Sequence, residues 1–242
     1  MPSSDLKGEA VNGTPGPSLD RVGAAAGIAV VALLVTLIAG LPALPGPDSP
    51  IEEIAEAAFA DRGSLLLGSY LGALMGGALL VFGAAVAAVI RRADGDEGWW
   101  IVALAGTAAT AIGIVSNALV VAFVRAVENG AQGDALWVGY SGDHALGTLI
   151  AVPLGVFLFG AGMGARASGV LPRWLAWVAI VSATALIVGA GSITGGELEG
   201  GPLAVPLLLG YLGLLVWIVA TSVVLGRGRP SSFRAVEAAA AS

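Results

Sequence analysis

Six long runs of apolar residues, none carrying a charged side chain, alternate along the chain with short polar segments. They run from about Val22 to Leu41, Ser64 to Ile90, Trp99 to Val124, Ala145 to Met163, Trp174 to Ile193 and Leu203 to Leu225. A helix needs about 20 such residues to cross the hydrocarbon of a bilayer, so each run predicts a span, the longer ones tilted. The expected class is all-α: a six-helix transmembrane bundle over residues 22–226. Residues 1–21 are polar, rich in Gly, Pro and Ser, and lack any apolar period, which predicts a disordered tail. Residues 227–242 form the second tail. A cleaved signal peptide is the competing reading of the first run, but its apolar core would be only about 7–15 residues long.

The polar segments set the orientation. Lys7, Arg21, Arg91, Arg92, Arg166, Arg173, Arg227, Arg229 and Arg234 fall in the two tails and in the second and fourth loops, against Arg62 and Arg125 in the others. Nine against two is a positive-inside signal that puts both termini in the cytoplasm. The opposite loops are acidic, with Asp48, Glu52, Glu53, Glu56, Asp61, Glu128, Asp134, Asp143, Glu197 and Glu199. Trp99, Trp100 and Trp174 stand at cytoplasmic ends, where indole rings favour the headgroup layer, and Trp137 and Tyr140 suit the other interface.

The first outer loop predicts a short amphipathic helix. Ser49 is placed to cap it, Pro50 fits the first helical position and Glu52 completes a capping box. Ile51, Ile54, Ala55, Ala58 and Phe59 form its apolar face and Gly63 a stop. Its polar face is acidic and gains nothing from anionic lipid, so the helix rests on the bundle or serves as a lid or docking face.

Composition narrows the function classes. Hydrophobic residues make up 57% of the 242, charged ones 12%, and mean hydropathy is +0.89, which excludes a soluble domain. The net charge of −6 sits in loops and leaves no clustered basic face for nucleic acid. Cysteine is absent, and with it disulfides, thiolate metal sites, iron–sulfur clusters and thiol nucleophiles. No cofactor fingerprint occurs.

Much of the apolar content is small. Gly68, Gly72, Gly76 and Gly83 share one face of span two, continued by Ala84, Ala87 and Ala88. Such a seam lets helix backbones approach closely within a subunit or between subunits. Span three carries Gly106, Thr110, Gly113 and Asn117 on one face with Ser116 beside it, and span five carries Ser182, Gly189 and Ser192. Hydroxyls return their hydrogen bonds to the preceding turn, whereas the Asn117 carboxamide needs a partner from another helix or from water. An interhelical hydrogen bond is the plainer reading, a ligand contact the sharper one.

Tyr140-Ser141-Gly142-Asp143-His144 is the most reactive-looking segment and holds the one histidine. A single His beside one Asp falls short of the three or four ligands of a zinc site. A Ser-His-Asp relay is conceivable, but neighbours at a helix start seldom align, and capping of span four by Asp143 or Ser141 is simpler. Pro153 near the middle of span four predicts a kink. Broken helices occur at transport sites, yet no span holds an ionisable group and the two halves show no matching motifs, which argues against proton-coupled transport.

Gly68-Ser69-Tyr70-Leu71-Gly72 behind an acidic outer segment, Val156-Phe157-Leu158-Phe159, and Gly169-Val170-Leu171-Pro172-Arg173-Trp174 carry a resemblance. Over about residues 20–226 the chain resembles a family of six-span membrane proteins common in actinobacteria and related bacteria, classified only as a domain of unknown function. The resemblance implies a bacterial plasma-membrane location and no mechanism. Two functions remain in view. One is a non-enzymatic protein for interaction, sensing or support, with the lipid bilayer, a second copy or another membrane protein as partner. The other is a small facilitator or binding protein for a neutral or weakly polar solute. Its cavity would lie among spans three to five near Asn117, Asp143, His144, Ser192 and Thr194, with Thr110 and Ser116 as neighbouring polar groups. An enzyme comes third.

Overall fold

The computed structural model describes residues 18–42, 44–46, 49–94, 98–194 and 201–227, with the backbone alone at positions 94 and 194. These residues form eight α-helices and no strand: α1 (Leu19–Gly40), α2 (Ile51–Ala60), α3 (Arg62–Asp94), α4 (Trp99–Glu128), α5 (Asp134–Leu149), α6 (Ala151–Ser168), α7 (Arg173–Ala190) and α8 (Ala204–Arg227). A 3-10 turn, Gly191–Thr194, extends α7. Six stretches are long and apolar enough to cross a membrane, α5 and α6 together supplying the fourth. The chain is an all-α, multi-pass membrane protein.

Short connections make consecutive helices antiparallel neighbours. Here each span packs on the one before it, α8 packs back on α1, and α3 touches α6 across the ring so formed. One end carries Arg21, Arg91, Arg92, Arg166, Arg173 and Arg227; the other carries α2, Arg62, Arg125, Glu128 and Asp134. They are called the basic and acidic ends below. Ile38 at 72% exposed, Val181 at 64% and Leu104 at 63% point outward, as lipid-facing side chains must.

Two separate cores fill the ring. The larger lies between the spans around Trp217 of α8, whose indole meets Phe82 of α3 and Phe157 of α6, both edge-on at 5.8 Å. Phe157 enters because Gly83 and Gly106 leave room: a methyl group on either would stand 3.3–3.4 Å from its ring. The smaller core caps the acidic end. Ile54 and Ala58 of α2 are fully buried there against Leu65, Phe123, Leu136 and Tyr140.

Several local expectations are corrected. Helix α1 begins at Leu19, inside the segment expected to be a disordered tail, and Asp20 pairs with Arg92 of α3. Residues 1–17, most of the second tail and Asp48, Glu197 and Glu199 lie outside the described residues. The Ser49–Glu52 capping box does not form. Pro50 is extended (ψ 140°) and is itself the cap, so Ser49 falls one residue too early to reach the first turn. Phe59 is turned from the buried face of α2 and lies under the Arg62 guanidinium at 4.9 Å. Gly63 stops nothing, because α3 has already begun at Arg62. Span four starts at Asp134, well before Ala145, so Ser141 and Asp143 sit within α5 and do not cap it. The helix breaks at Ile150, where Pro153 both lacks an N–H and crowds the carbonyl four residues back.

Candidate functional site

The glycine face of α3 meets the polar face of α4. A methyl group on Gly76 would touch Thr110 at 3.4 Å, and the Thr110 hydroxyl donates to the Gly76 carbonyl at 3.3 Å. One turn toward the acidic end, a methyl on Gly72 would lie 2.5 Å from Oδ1 of Asn117. Gly113 faces Ile150 at the helix break, and Gly68 faces the side chain of Leu41. The seam thus lies within the subunit, and its Gly68 end opens away from α4.

Asn117 does not use its amide to bridge helices. Its Nδ2 donates to the Gly113 carbonyl at 2.7 Å, one turn back in α4. The whole carboxamide packs against Gly72, at the meeting of two chambers. The vestibule, about 340 Å³, is walled by Leu41, Pro42, Leu44 and Pro45 after α1, by Gly68, Ser69 and Gly72 of α3, and by Tyr140, Asp143 and His144 of α5. The inner chamber, about 200 Å³, is lined by Val30, Leu34, Leu79, Ala109, Thr110, Ile150, Leu154, Tyr211, Leu214 and Ile218. Gly72, Met75 and Asn117 belong to both linings.

The vestibule's polar groups are fixed by their neighbours. Ser116 of α4 donates to the Asp143 carboxylate. His144 places Nδ1 3.2 Å from the Tyr140 carbonyl. A carbonyl can only accept, so Nδ1 carries a proton in this contact. The Tyr140 hydroxyl donates at 2.6 Å to the Pro45 carbonyl, tying the linker to α5, and its ring lies 4.5 Å from the imidazole. Ser141 bonds back to the Trp137 carbonyl. Ser141, Asp143 and His144 therefore hold three different partners and do not align as a relay. Among the described residues no group of three metal-ligating side chains converges.

Asn117, Asp143 and His144 share the vestibule as expected, but span five contributes to neither chamber. The cavity lies among spans one to four, with α8 closing the inner chamber, rather than among spans three to five. Ser192 is buried, at 5% exposed, in the 3-10 turn that packs on α7 and α5, and it lines neither chamber; the backbone of Thr194 ends the same turn. The linings also include residues not expected at a site, among them Ser69, Met75 and Tyr211. Tyr211 donates across to the Gly147 carbonyl at 3.4 Å. No family model, curated protein or solved structure matches the chain.

Proposed function

We propose that the protein is a non-enzymatic binding protein of a bacterial plasma membrane, with both termini cytoplasmic and the acidic end outside. Its cavity takes up a small neutral or weakly polar molecule from the outer side. The position of Asn117 carries this reading: the carboxamide stands where a vestibule holding several polar groups adjoins an apolar chamber, instead of closing a dry bond between helices. Polar sites are hydrated, whereas chambers lined by aliphatic side chains stay dry and accept apolar groups. A molecule with a hydrogen-bonding handle and an apolar body matches both, the handle meeting Asn117 and His144. Binding is favoured over conduction because Phe82, Phe157 and Trp217 fill the ring next to the inner chamber on its basic side. The orientation rests on the nine-to-two division of basic residues, and the bacterial membrane on the family resemblance.

Since the chain has no cysteine, Asn117→Cys is the sole thiol. A membrane-impermeant maleimide added outside intact cells should label it quickly, as reaction needs a hydrated thiolate. Ala183→Cys, fully buried where α7 packs on α6, is the slow comparator. Equal, slow labelling of the two would remove the binding reading and leave a structural or interaction role. Phosphatase fusions at Gly46 and Gly130 should be active and those at Gly95 and Ser168 inactive, which fixes the orientation separately.

A further inference from the structure

A separate pocket lies at the opposite end of the molecule, between α6 and α7. Arg166 near the end of α6 and Arg173 at the start of α7 line one pocket of about 340 Å³ with Trp177 and Ile180. The Arg166 guanidinium lies 5.1 Å over the Trp177 ring, which holds it at the pocket rather than free in solvent. Arg62, Arg92 and Arg125 each pair with a carboxylate. Among the described residues Arg166 and Arg173 have none.

The surroundings decide what anion this pocket suits. Trp174 and Trp177 are each 54% exposed, and Met163 and Val181 continue an outward apolar strip from the pocket along α6 and α7. Exposed indoles mark the headgroup layer, and the strip below them is at the depth of acyl chains. Two guanidiniums offer planar forks matched to a phosphate's oxygens. We infer that the Arg166–Arg173 pocket binds the headgroup of an anionic phospholipid, whose acyl chain lies along Ile180 and Val181.

The test uses the full chain in nanodiscs of phosphatidylcholine and phosphatidylglycerol, with the lipids that stay bound counted by native mass spectrometry. The protein should retain phosphatidylglycerol preferentially. A guanidinium in contact with the headgroup is worth about fivefold in affinity, so R166Q/R173Q should cut the retained-lipid preference by roughly 25-fold. R21Q/R227Q removes the same charge from the same end and should leave the preference within about twofold, because those residues lie outside the pocket. A preference kept by R166Q/R173Q, or lost as fully in R21Q/R227Q, overturns the site. Displacement of the retained lipid by millimolar inorganic phosphate would overturn the lipid assignment in favour of a free anion. Should the glutamine variant not fold, R166K/R173K decides: partial loss supports recognition by the guanidinium forks, and an unchanged preference overturns it.

Discussion

The two halves of the bundle are built from the same residue types and put them to opposite use. Along α6, α7 and α8, glycines bring backbones together. A methyl on Gly189 would meet the Leu207 backbone at 2.5 Å, one on Gly210 the Leu186 amide at 2.8 Å, and one on Gly155 or Gly162 a carbonyl of α7 at about 3 Å. Toward the acidic end, between α1, α3 and α4, glycines face side chains instead: Gly68 meets Leu41, Gly72 meets Asn117 and Gly76 meets Thr110. Backbone cannot retreat, whereas a side chain can turn. The first arrangement gives a rigid wall, and the second leaves two chambers with adjustable linings.

The sharpest way to break this contrast is to damage the wall. Phe157 fills the room left by Gly83 and Gly106 and supports Trp217, so Phe157→Ala should cost about 3 kcal/mol of stability in detergent. A loss no larger than that of the lipid-facing Phe159→Ala would show that the ring's centre is not tightly filled.

A subtler comparison adds one methyl group at a time. Gly189→Ala should destabilise by about 1–3 kcal/mol, since the helix backbones must part. Gly77 has open space beside it, so Gly77→Ala should be neutral or stabilising by up to about 1 kcal/mol, the usual helix preference. Thermal melts that ranked the two alike would show that α7 and α8 are not in tight backbone contact at Gly189. Gly72→Leu tests the other half. It should fill the junction of the chambers and slow labelling of Met75→Cys at least severalfold, at a smaller stability cost than Gly189→Leu.

How much of this could be read from the chain depends on the range of the interaction involved. The six spans were legible because a bilayer demands long charge-free windows, and those windows are local in sequence. The short helix α2 was legible from Ile51, Ile54 and Ala58, but its start was not. Pro50 can precede a helix as well as begin one, and only its ψ of 140° distinguishes the two. The start of span four was missed because Asp134, Ser141, Asp143 and His144 interrupt its hydropathy, although the helix continues through them on a surface outside the main apolar run. The chambers were illegible for a different reason. Asn117 and Gly72 each belong to a readable stripe, but whether an amide crosses a seam or folds back onto its own helix depends on the partner helix's distance. Ser192, on an equally readable stripe, is buried away from both chambers.

Between the packing effects and the weakest contacts stands the tie at the acidic end. Tyr140→Phe removes the hydrogen bond to the Pro45 carbonyl, part of the vestibule wall, and should cost about 0.5–1.5 kcal/mol. Because the linker is then less constrained, labelling of Asn117→Cys should rise when it is combined with Tyr140→Phe. An unchanged rate would show that the linker does not limit access.

The smallest effect expected is that of the surface ion pairs, and its smallness is informative. Asp20 with Arg92 joins α1 to α3 at the basic end, and Arg62 and Arg125 share Glu128 at the acidic end. Their arginines are 43%, 49% and 61% exposed, so solvent and salt screen all three. A double-mutant cycle on Asp20→Asn and Arg92→Gln should yield a coupling below about 1 kcal/mol that shrinks further in high salt. The same cycle on Arg62→Gln and Glu128→Gln should fall in the same range. If the ion pairs at both ends are this weak while Gly189→Ala and Gly77→Ala diverge, stability differences within the bundle reside in how closely helix backbones approach, and surface charge contributes little. A salt-insensitive coupling at the basic end of several kcal/mol would reverse that conclusion, making the Asp20–Arg92 pair, rather than the glycine contacts, the clamp that holds α1 in the ring.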